Sequence, residues 1–123
     1  IQKQMEMAGT TRTPEVRIDS SNCSIKGECY PEDISEFSGP VMEALRENLS
    51  SSESFTVTIE LYYFNSSSAK FLFDFFEYLD QAGEEKQIRI VWKYRTEDDA
   101  MEEAGSEFEE DMENVSFSLE AIN

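Results

Sequence analysis

The feature that most constrains the fold is a strand pattern that runs directly into a turn and then into a helical pattern. Residues 55–63 alternate apolar and polar side chains, which is the period of a half-buried strand. Residues 65–68 read Asn-Ser-Ser-Ser, and side chains of these types favour turns and helix starts. Apolar residues then recur at helical spacing as far as Ala82, and Gly83 is a natural helix end. The sequence therefore places three serines at a strand-to-helix junction.

The other patterns predict an α/β domain around this junction. Six further segments give the order β-β-α-β-α-β-α-β: alternation at 15–19 and 23–29, helical spacing at 34–49, alternation at 88–94, helical spacing at 101–112 and alternation at 115–121. Strands separated by single helices are expected to be parallel neighbours joined by right-handed crossovers. Because the strands alternate and are not continuously apolar, the helices are expected mainly on one face of a mixed five-stranded sheet.

Three stretches lead to more local predictions. Gly39-Pro40 interrupts a helical pattern, so either a separate helical turn precedes Pro40 or the helix is kinked there. Residues 1–12 are polar and without periodicity, so they are expected to form a flexible tail ahead of a single domain at residues 13–123. Thr96, with an acidic residue three positions later, is expected to cap the last helix.

The charge and the missing histidines exclude several classes of function. The 27 acidic residues outnumber the 10 basic ones, for a net charge of −17, whereas nucleic-acid binding needs a basic surface. Without histidine, Ser-His and Cys-His catalysis are excluded and zinc loses its commonest nitrogen ligand. Lys70 is a conceivable base for Ser66, but the turn lacks a G-x-S-x-G sequence. The chain is therefore expected to be no enzyme and to hold no metal or other cofactor.

The apolar runs and the cysteines indicate the cellular compartment of the protein. The sequence contains no run of about 18 apolar residues, and its first residues lack the apolar region of a secretory signal. Cys23 and Cys29 share one predicted strand, which separates them by roughly 20 Å at ~3.3 Å per residue, too far for a disulfide. Two thiols that cannot pair favour a reducing compartment, so we expect a cytoplasmic protein without membrane contact.

Ser66 stands where the N-cap residue of the second helix is expected. Either it only caps, which is worth ~1 kcal/mol, or it accepts a phosphate, which adds about −1.5 to −2 charge. The amides and dipole of a helix N-terminus tolerate such a charge, so the fold would survive while the surface became strongly anionic. Asn65, Ser67 and Ser68 would then shape the turn and supply hydrogen bonds, and Lys70 would help to neutralise the phosphate.

Two surfaces are candidates for contact with a partner. Phe71, Phe75 and Tyr78 give the second helix a wider apolar arc than packing on one sheet face requires. Either neighbouring helices cover these side chains, or they form an exposed aromatic patch that binds a protein. Residues 97–113 hold ten acidic residues and no basic one, which indicates a solvated helix face, a surface that steers a basic partner, or a loose divalent-ion site without a DxDxDG-type loop.

Several segments resemble the SiaC family of bacterial regulatory phosphoproteins. The junction at residues 63–70, Tyr-Phe-Asn-Ser-Ser-Ser-Ala-Lys, is similar to the family's Y-L-N-[ST]-S-S-x-K segment. The resemblance covers most of residues 13–122 and includes four further segments: Thr13-Pro14, residues 27–32 (Gly-Glu-Cys-Tyr-Pro-Glu), residues 91–94 (Val-Trp-Lys-Tyr) and the acidic residues 107–111. Ser66 stands in place of the family's usual threonine, and Ala69 in place of a larger aliphatic residue.

This resemblance implies a STAS-like fold and a non-enzymatic phospho-switch. It implies that a protein kinase phosphorylates Ser66 and that a metal-dependent Ser/Thr phosphatase removes the phosphate. The unphosphorylated form would bind and activate a diguanylate cyclase, which connects the chain to cyclic-di-GMP signalling and biofilm-type regulation. The alternative on the same fold is an anti-sigma-factor antagonist that binds a kinase-type anti-sigma factor.

Overall fold

A computed structural model describes residues 4–123. In it, the segments with alternating patterns form strands of one sheet, and the segments with helical spacing form three helices. The elements are β1 (Met5–Met7), β2 (Glu15–Ile18), β3 (Asn22–Cys29), α1 (Ile34–Leu49), β4 (Ser54–Phe64), α2 (Ser66–Ala82), β5 (Gln87–Arg95), α3 (Asp99–Glu110) and β6 (Ser116–Ile122). The strands lie side by side in chain order. β1, β2 and β3 are antiparallel, whereas β3 to β6 are parallel.

The predicted α/β class and the parallel neighbours are confirmed. Alternate side chains of β2 to β5 are buried, and the intervening ones are exposed or half-exposed. The core also takes side chains from all three helices, including Leu45 of α1, Phe76 of α2 and Met101 of α3. The helices therefore cover one face of the sheet, as the alternation of the strands indicated.

β1 is a sixth strand where the sequence predicted a flexible tail. Met5–Met7 pairs with β2, and Met5 and Met7 pack half-buried against the core. Two apolar residues at alternate positions are thus enough to add a short edge strand. Residues 1–3 of the expected tail lie outside the described residues.

No separate helical turn precedes Pro40, because α1 runs without interruption from Ile34 to Leu49. Pro40 is exposed, so water can satisfy the carbonyl that loses its partner to the missing proline amide. The alternative with a separate turn failed because the solvent-facing side of a packed helix tolerates a proline that an isolated helix would not.

The uncovered face of the sheet carries a row of alternating charges. In the strand register, Glu15, Lys26, Glu60, Lys93 and Glu120 are successive neighbours from β2 to β6. Lys26 Nζ lies 4.0 Å from Glu60 Oε2, and Lys93 Nζ lies 3.7 Å from Glu120 Oε2. Opposite charges on facing strands stabilise a sheet, so this charge row contributes to the register of the uncovered sheet face.

α3 is held against the sheet by a close contact between Gly105 and Trp92. Trp92 is fully buried and donates from Nε1 to the carbonyl oxygen of Met101 at 3.0 Å. A Cβ atom on Gly105 would stand 2.5 Å from Trp92 Cδ1. The indole is itself enclosed by the rings of Phe64, Phe76 and Phe108, so it has little room to move away.

Gly105→Ala is therefore expected to destabilise the protein by about 1–3 kcal/mol, the range for an overpacked core. Alanine favours a helix over glycine by about 1 kcal/mol, which offsets only part of this loss. Urea denaturation followed by the fluorescence of the single tryptophan measures the effect. Gly39→Ala is the matched control in α1, where the added Cβ has no heavy atom within 4 Å apart from its chain neighbours and the adjacent helix backbone. A Gly105→Ala variant as stable as Gly39→Ala would contradict the packing argument.

Candidate functional site

The three serines lie at the edge of the sheet where the parallel strands end. Phe64, the last residue of β4, pairs with Cys29 at the end of β3, and the Asn65 amide donates to the Cys29 carbonyl at 3.3 Å. Asn65 has an extended backbone, and Ser66 already begins α2. The chain thus changes from strand to helix within one residue. In parallel α/β sheets this edge is where ligands usually bind.

Asn65, and not Ser66, caps α2, which corrects the expected cap position. Asn65 Oδ1 accepts a hydrogen bond from the Ser68 amide at 3.0 Å, and its carbonyl accepts one from the Ala69 amide at 2.9 Å. An asparagine side chain is as good an N-cap as serine, so the residue one position earlier takes this role. The Ser66 hydroxyl is therefore not required for capping. The first turn of α2 also contains no acidic residue, which leaves the positive end of the helix dipole uncompensated.

The three hydroxyls of the turn differ in access. Ser66 and Ser67 are exposed, whereas Ser68 is fully buried. Ser68 Oγ has no hydrogen bond of ordinary geometry among the described residues, and it faces the Cys29 thiol. Burial raises the pKa of Cys29, and the neighbouring Ser68 hydroxyl acts in the opposite direction. A modifying enzyme can therefore reach Ser66 and Ser67 but not Ser68 in the folded protein.

Lys70 lies one helical turn after Ser66 on the exposed side of α2. Its Nζ is 3.4 Å from Asp74 Oδ2, and both side chains are largely exposed. An exposed pair at this spacing contributes only ~0.3–0.5 kcal/mol. Lys70 is therefore free to exchange Asp74 for an anion on its N-terminal side.

The predicted aromatic patch is wrong for two of its three residues. Phe71 and Phe75 are 6% and 0% exposed. The Phe71 ring meets the Phe37 ring of α1 edge-to-face at 5.6 Å, and Phe75 packs on Phe71. α1 therefore covers this side of α2, and the wide apolar arc belongs to the core. Tyr78, the third residue, is half-buried against the core.

Sequence reasoning missed the aromatic side chain that is exposed beside the turn. Tyr63 is 51% exposed, and its ring meets that of Tyr30 edge-to-face at 5.6 Å. Alternation along β4 had grouped Tyr63 with the buried Leu61. In the structure Gly27 pairs with Leu61 but Glu28 pairs with Tyr63, so Tyr62 is an extra residue in β4.

This β-bulge turns Tyr63 outward. Gly27 has a φ of +134°, a value that side-chain-bearing residues rarely adopt. A glycine inside a strand pattern often marks a bulge. Gly27 was therefore the signal in the sequence that could have predicted that Tyr63 faces the solvent and not the core.

The acidic residues of α3 form a solvated face, as one of the alternatives predicted. The acidic side chains from Asp99 to Glu110 are all exposed. Asp98 caps the helix by accepting from the Met101 amide at 3.1 Å, whereas Thr96 donates its hydroxyl to the Ile122 carbonyl at 3.0 Å. Thr96 is therefore not the cap. Within residues 4–123, no group of three or more potential ligand side chains is placed to hold a metal ion.

Both cysteines are buried and unbridged, as their spacing on one strand predicted. Burial, together with the charge of Asp19, raises the pKa of Cys23 to about 12. Neither thiol is therefore activated as a nucleophile. Across the described part of the chain, no helix combines the length and hydropathy that a membrane span requires.

Comparisons with known proteins agree on one family. The model of the SiaC family of regulatory phosphoproteins matches residues 7–122. An uncharacterized protein of Pseudomonas aeruginosa strain UCBPP-PA14 is 26% identical over 121 residues, which is 95% of each chain.

Solved structures from the same organism are similar over nearly the whole chain. The crystal structure of apo-SiaC from P. aeruginosa is 27% identical, with a TM-score of 0.87 over 97% of this chain and 99% of that one. A second similar structure is of the diguanylate cyclase SiaD in complex with its activator SiaC, also from P. aeruginosa. It gives a TM-score of 0.84 and 25% identity, over 94% of this chain and 99% of the matched one.

Proposed function

Because the chain belongs to the SiaC family of regulatory phosphoproteins, we propose that it activates a diguanylate cyclase and is switched by phosphorylation of Ser66. A member of this family is a regulatory protein and not an enzyme. The P. aeruginosa relative forms a complex with the cyclase SiaD as its activator. The observation that carries the proposal is the state of Ser66, which is exposed, lies in the first turn of α2 and is not needed for capping.

The surroundings of Ser66 suit a phosphate. The first amides of a helix have no acceptor within the helix, and the dipole favours an anion there. Lys70 follows four residues later, which is the favourable order for an acidic and a basic group on a helix. A phosphate on Ser66 would therefore draw Lys70 away from Asp74. The buried Ser68 holds the turn through its amide, so modification of Ser66 leaves the cap of Asn65 in place.

The unmodified surface is the one that we expect the cyclase to contact. The exposed Tyr63 and the half-buried Tyr30 form an aromatic pair beside the turn, and aromatic side chains are enriched in interface centres. Tyr63 and Tyr30 take the place of the buried Phe71 and Phe75 as the aromatic side chains that we expect to contact the cyclase. Tyr78 is half-buried and would add little contact area. A phosphate beside this pair would have to lose its water on binding, which opposes docking.

The full switch needs two enzymes and a shared compartment. A protein kinase would phosphorylate Ser66, and a metal-dependent Ser/Thr phosphatase would restore the hydroxyl. We place this exchange in the cytoplasm, where its output would be cyclic-di-GMP and, through it, biofilm-type behaviour.

Incubation with the cognate kinase and ATP, followed by mass spectrometry, tests the assignment. Wild type is expected to gain one phosphate on the peptide that contains residues 65–70, and Ser66→Ala is expected to gain none. Ser67→Ala is the matched control, because Ser67 is the other exposed hydroxyl of the turn, and it should be phosphorylated like wild type. Modification of Ser66→Ala to the wild-type extent would refute the assignment. Recovery of a sigma-regulating kinase in place of a cyclase in a pull-down would refute the proposed partner.

A further inference from the structure

A groove separates the C-terminal halves of α2 and α3 at their outer surface. Its volume is about 360 Å³, and its apolar floor consists of Phe73, Phe108 and Met112, with the fully buried ring of Phe76 beneath them. The rings of Phe76 and Phe108 lie 5.0 Å apart, so the two helices are in contact beneath it. Phe73 is nevertheless 46% exposed at the side. Phe73, together with the half-buried Phe108 and Met112, therefore leaves apolar surface open to water. Such a surface is typical of one that another molecule covers.

Carboxylates surround this floor. Glu77, Asp80, Asp111 and Glu113 line the groove, and none of the described residues that line it is basic. Asp80 Oδ1 accepts hydrogen bonds from the Glu113 amide at 2.9 Å and the Asn114 amide at 2.8 Å. These bonds fix the loop after α3, so the acidic rim is held in place by the backbone.

The backbone adds to the negative potential of the groove. α2 ends at Ala82 and α3 ends at Glu110, so the negative ends of both helix dipoles lie at the same end of the groove. Neither helix has a basic residue in its last turn. Glu109 and Glu110 even place negative charge at the negative end of α3, which is unfavourable for the free protein. A cationic ligand would relieve this repulsion.

We propose that the α2–α3 groove is a second docking surface, which takes a basic amphipathic helix of a partner protein. The apolar side chains of such a helix would cover Phe73 and the groove floor, and its lysines or arginines would meet the four carboxylates of the rim. This is the helix-in-groove mode of recognition. A metal ion does not fit, because the described carboxylates form no group placed to hold one.

A second copy of this chain is a poor occupant. It would bring the same net charge of −17 to an acidic groove. The helices of the chain carry Arg46 and Lys70 as their basic residues, which is too few for a basic helix face. The occupant is therefore a different protein.

This surface is distinct from the proposed phosphorylation site. Glu77, near the middle of the groove, follows Ser66 by 11 residues on the same helix, which is ~16 Å at ~1.5 Å per residue. The Debye length is ~8 Å at physiological ionic strength. Occupation of the groove should therefore depend little on a charge at Ser66, and either proposal can fail without the other.

Fluorescence anisotropy with a labelled 18-residue peptide of leucine and lysine, with the leucines on one helical face, tests the proposal. Wild type should bind this peptide, and more weakly as NaCl rises from about 50 to about 500 mM. Phe73→Ala should weaken binding about tenfold, and Glu77→Gln/Glu113→Gln should also weaken it. A peptide with serine in place of leucine should not bind.

Two control variants distinguish peptide binding at the groove from non-specific attraction to the negative charge of the whole protein. Glu36→Gln/Glu43→Gln removes two exposed carboxylates from α1 and should leave peptide binding unchanged, as should Ser66→Glu. The proposal is overturned if wild type fails to bind the peptide, or if the groove variants bind as wild type does. Equal weakening by the α1 variant would also overturn it. Light scattering should find a monomer; a dimer that Phe73→Ala dissociates would assign the groove to a second copy and overturn the choice of occupant.

Discussion

Ser66→Glu is expected to abolish activation of the partner cyclase without loss of stability. The variant places a fixed negative charge at the first residue of α2, where the helix dipole favours an acidic side chain by about 0.3–1 kcal/mol. On docking, the same carboxylate must lose its water, which costs several kcal/mol; an exposed pair with Lys70 offsets only a small part of this cost. A loss of affinity of about 100-fold corresponds to about 2.7 kcal/mol, so the variant should bind the cyclase at least that much more weakly.

Ser66→Gln separates charge from size in this experiment. Glutamine has the shape of glutamate without its charge, so it should bind the cyclase within about tenfold of wild type. Calorimetric titration against the cyclase and the rate of cyclic-di-GMP formation measure the two consequences. If Ser66→Gln lost as much activation as Ser66→Glu, the effect would be steric. If Ser66→Glu activated as wild type does, a negative charge at this position would not be the switch.

Phe76→Ala is expected to have the largest effect on stability, about 3–5 kcal/mol, the usual range for a buried phenylalanine. Phe76 is fully buried. Its ring packs against those of Trp92 at 6.1 Å, Phe108 at 5.0 Å and Phe117 at 5.4 Å. It therefore connects α2 with α3 and with two strands, and its removal leaves a cavity between layers that cannot easily close.

Phe73→Ala is the matched control, because it makes the same chemical change three residues earlier in the same helix. Phe73 is 46% exposed, so its truncation should cost less than about 1 kcal/mol. Urea denaturation followed by circular dichroism measures both variants. Equal losses would show that Phe73 is packed as tightly as Phe76, which would also remove the open floor of the α2–α3 groove.

Periodicity alone was enough to predict most of the fold. The alternation along β4 and the helical spacing of α2 are strong local patterns, and their order requires parallel neighbours with helices between them. β1 was missed because three residues are too few to show a period. The caps of α2 and α3 were also misplaced. Asn65 caps α2 in place of Ser66, and Asp98 caps α3 in place of Thr96, because side chains of all these types are good N-caps and stand within two residues of each other.

The candidate site was predicted less well, because exposure depends on contacts that are distant in sequence. Nothing in α2 itself shows that α1 packs over Phe71 and Phe75. Similarly, Tyr63 faces outward because β4 bulges at Tyr62, opposite Gly27, which lies 36 positions before Tyr63 in the chain. The position of Ser66 at the junction was local information, and the structure strengthens its candidacy by giving the capping role to Asn65.

The charge row on the uncovered sheet face makes the two sides of the molecule electrically unlike. Strands β2 to β6 together carry five basic and four acidic residues, whereas the three helices carry two basic and twelve acidic ones. A molecule so divided behaves as a dipole in solution. A cationic partner would rotate it during diffusion, so that encounters begin on the helical side more often than chance allows. Productive collisions, and hence the association rate, should then fall as salt screens the field.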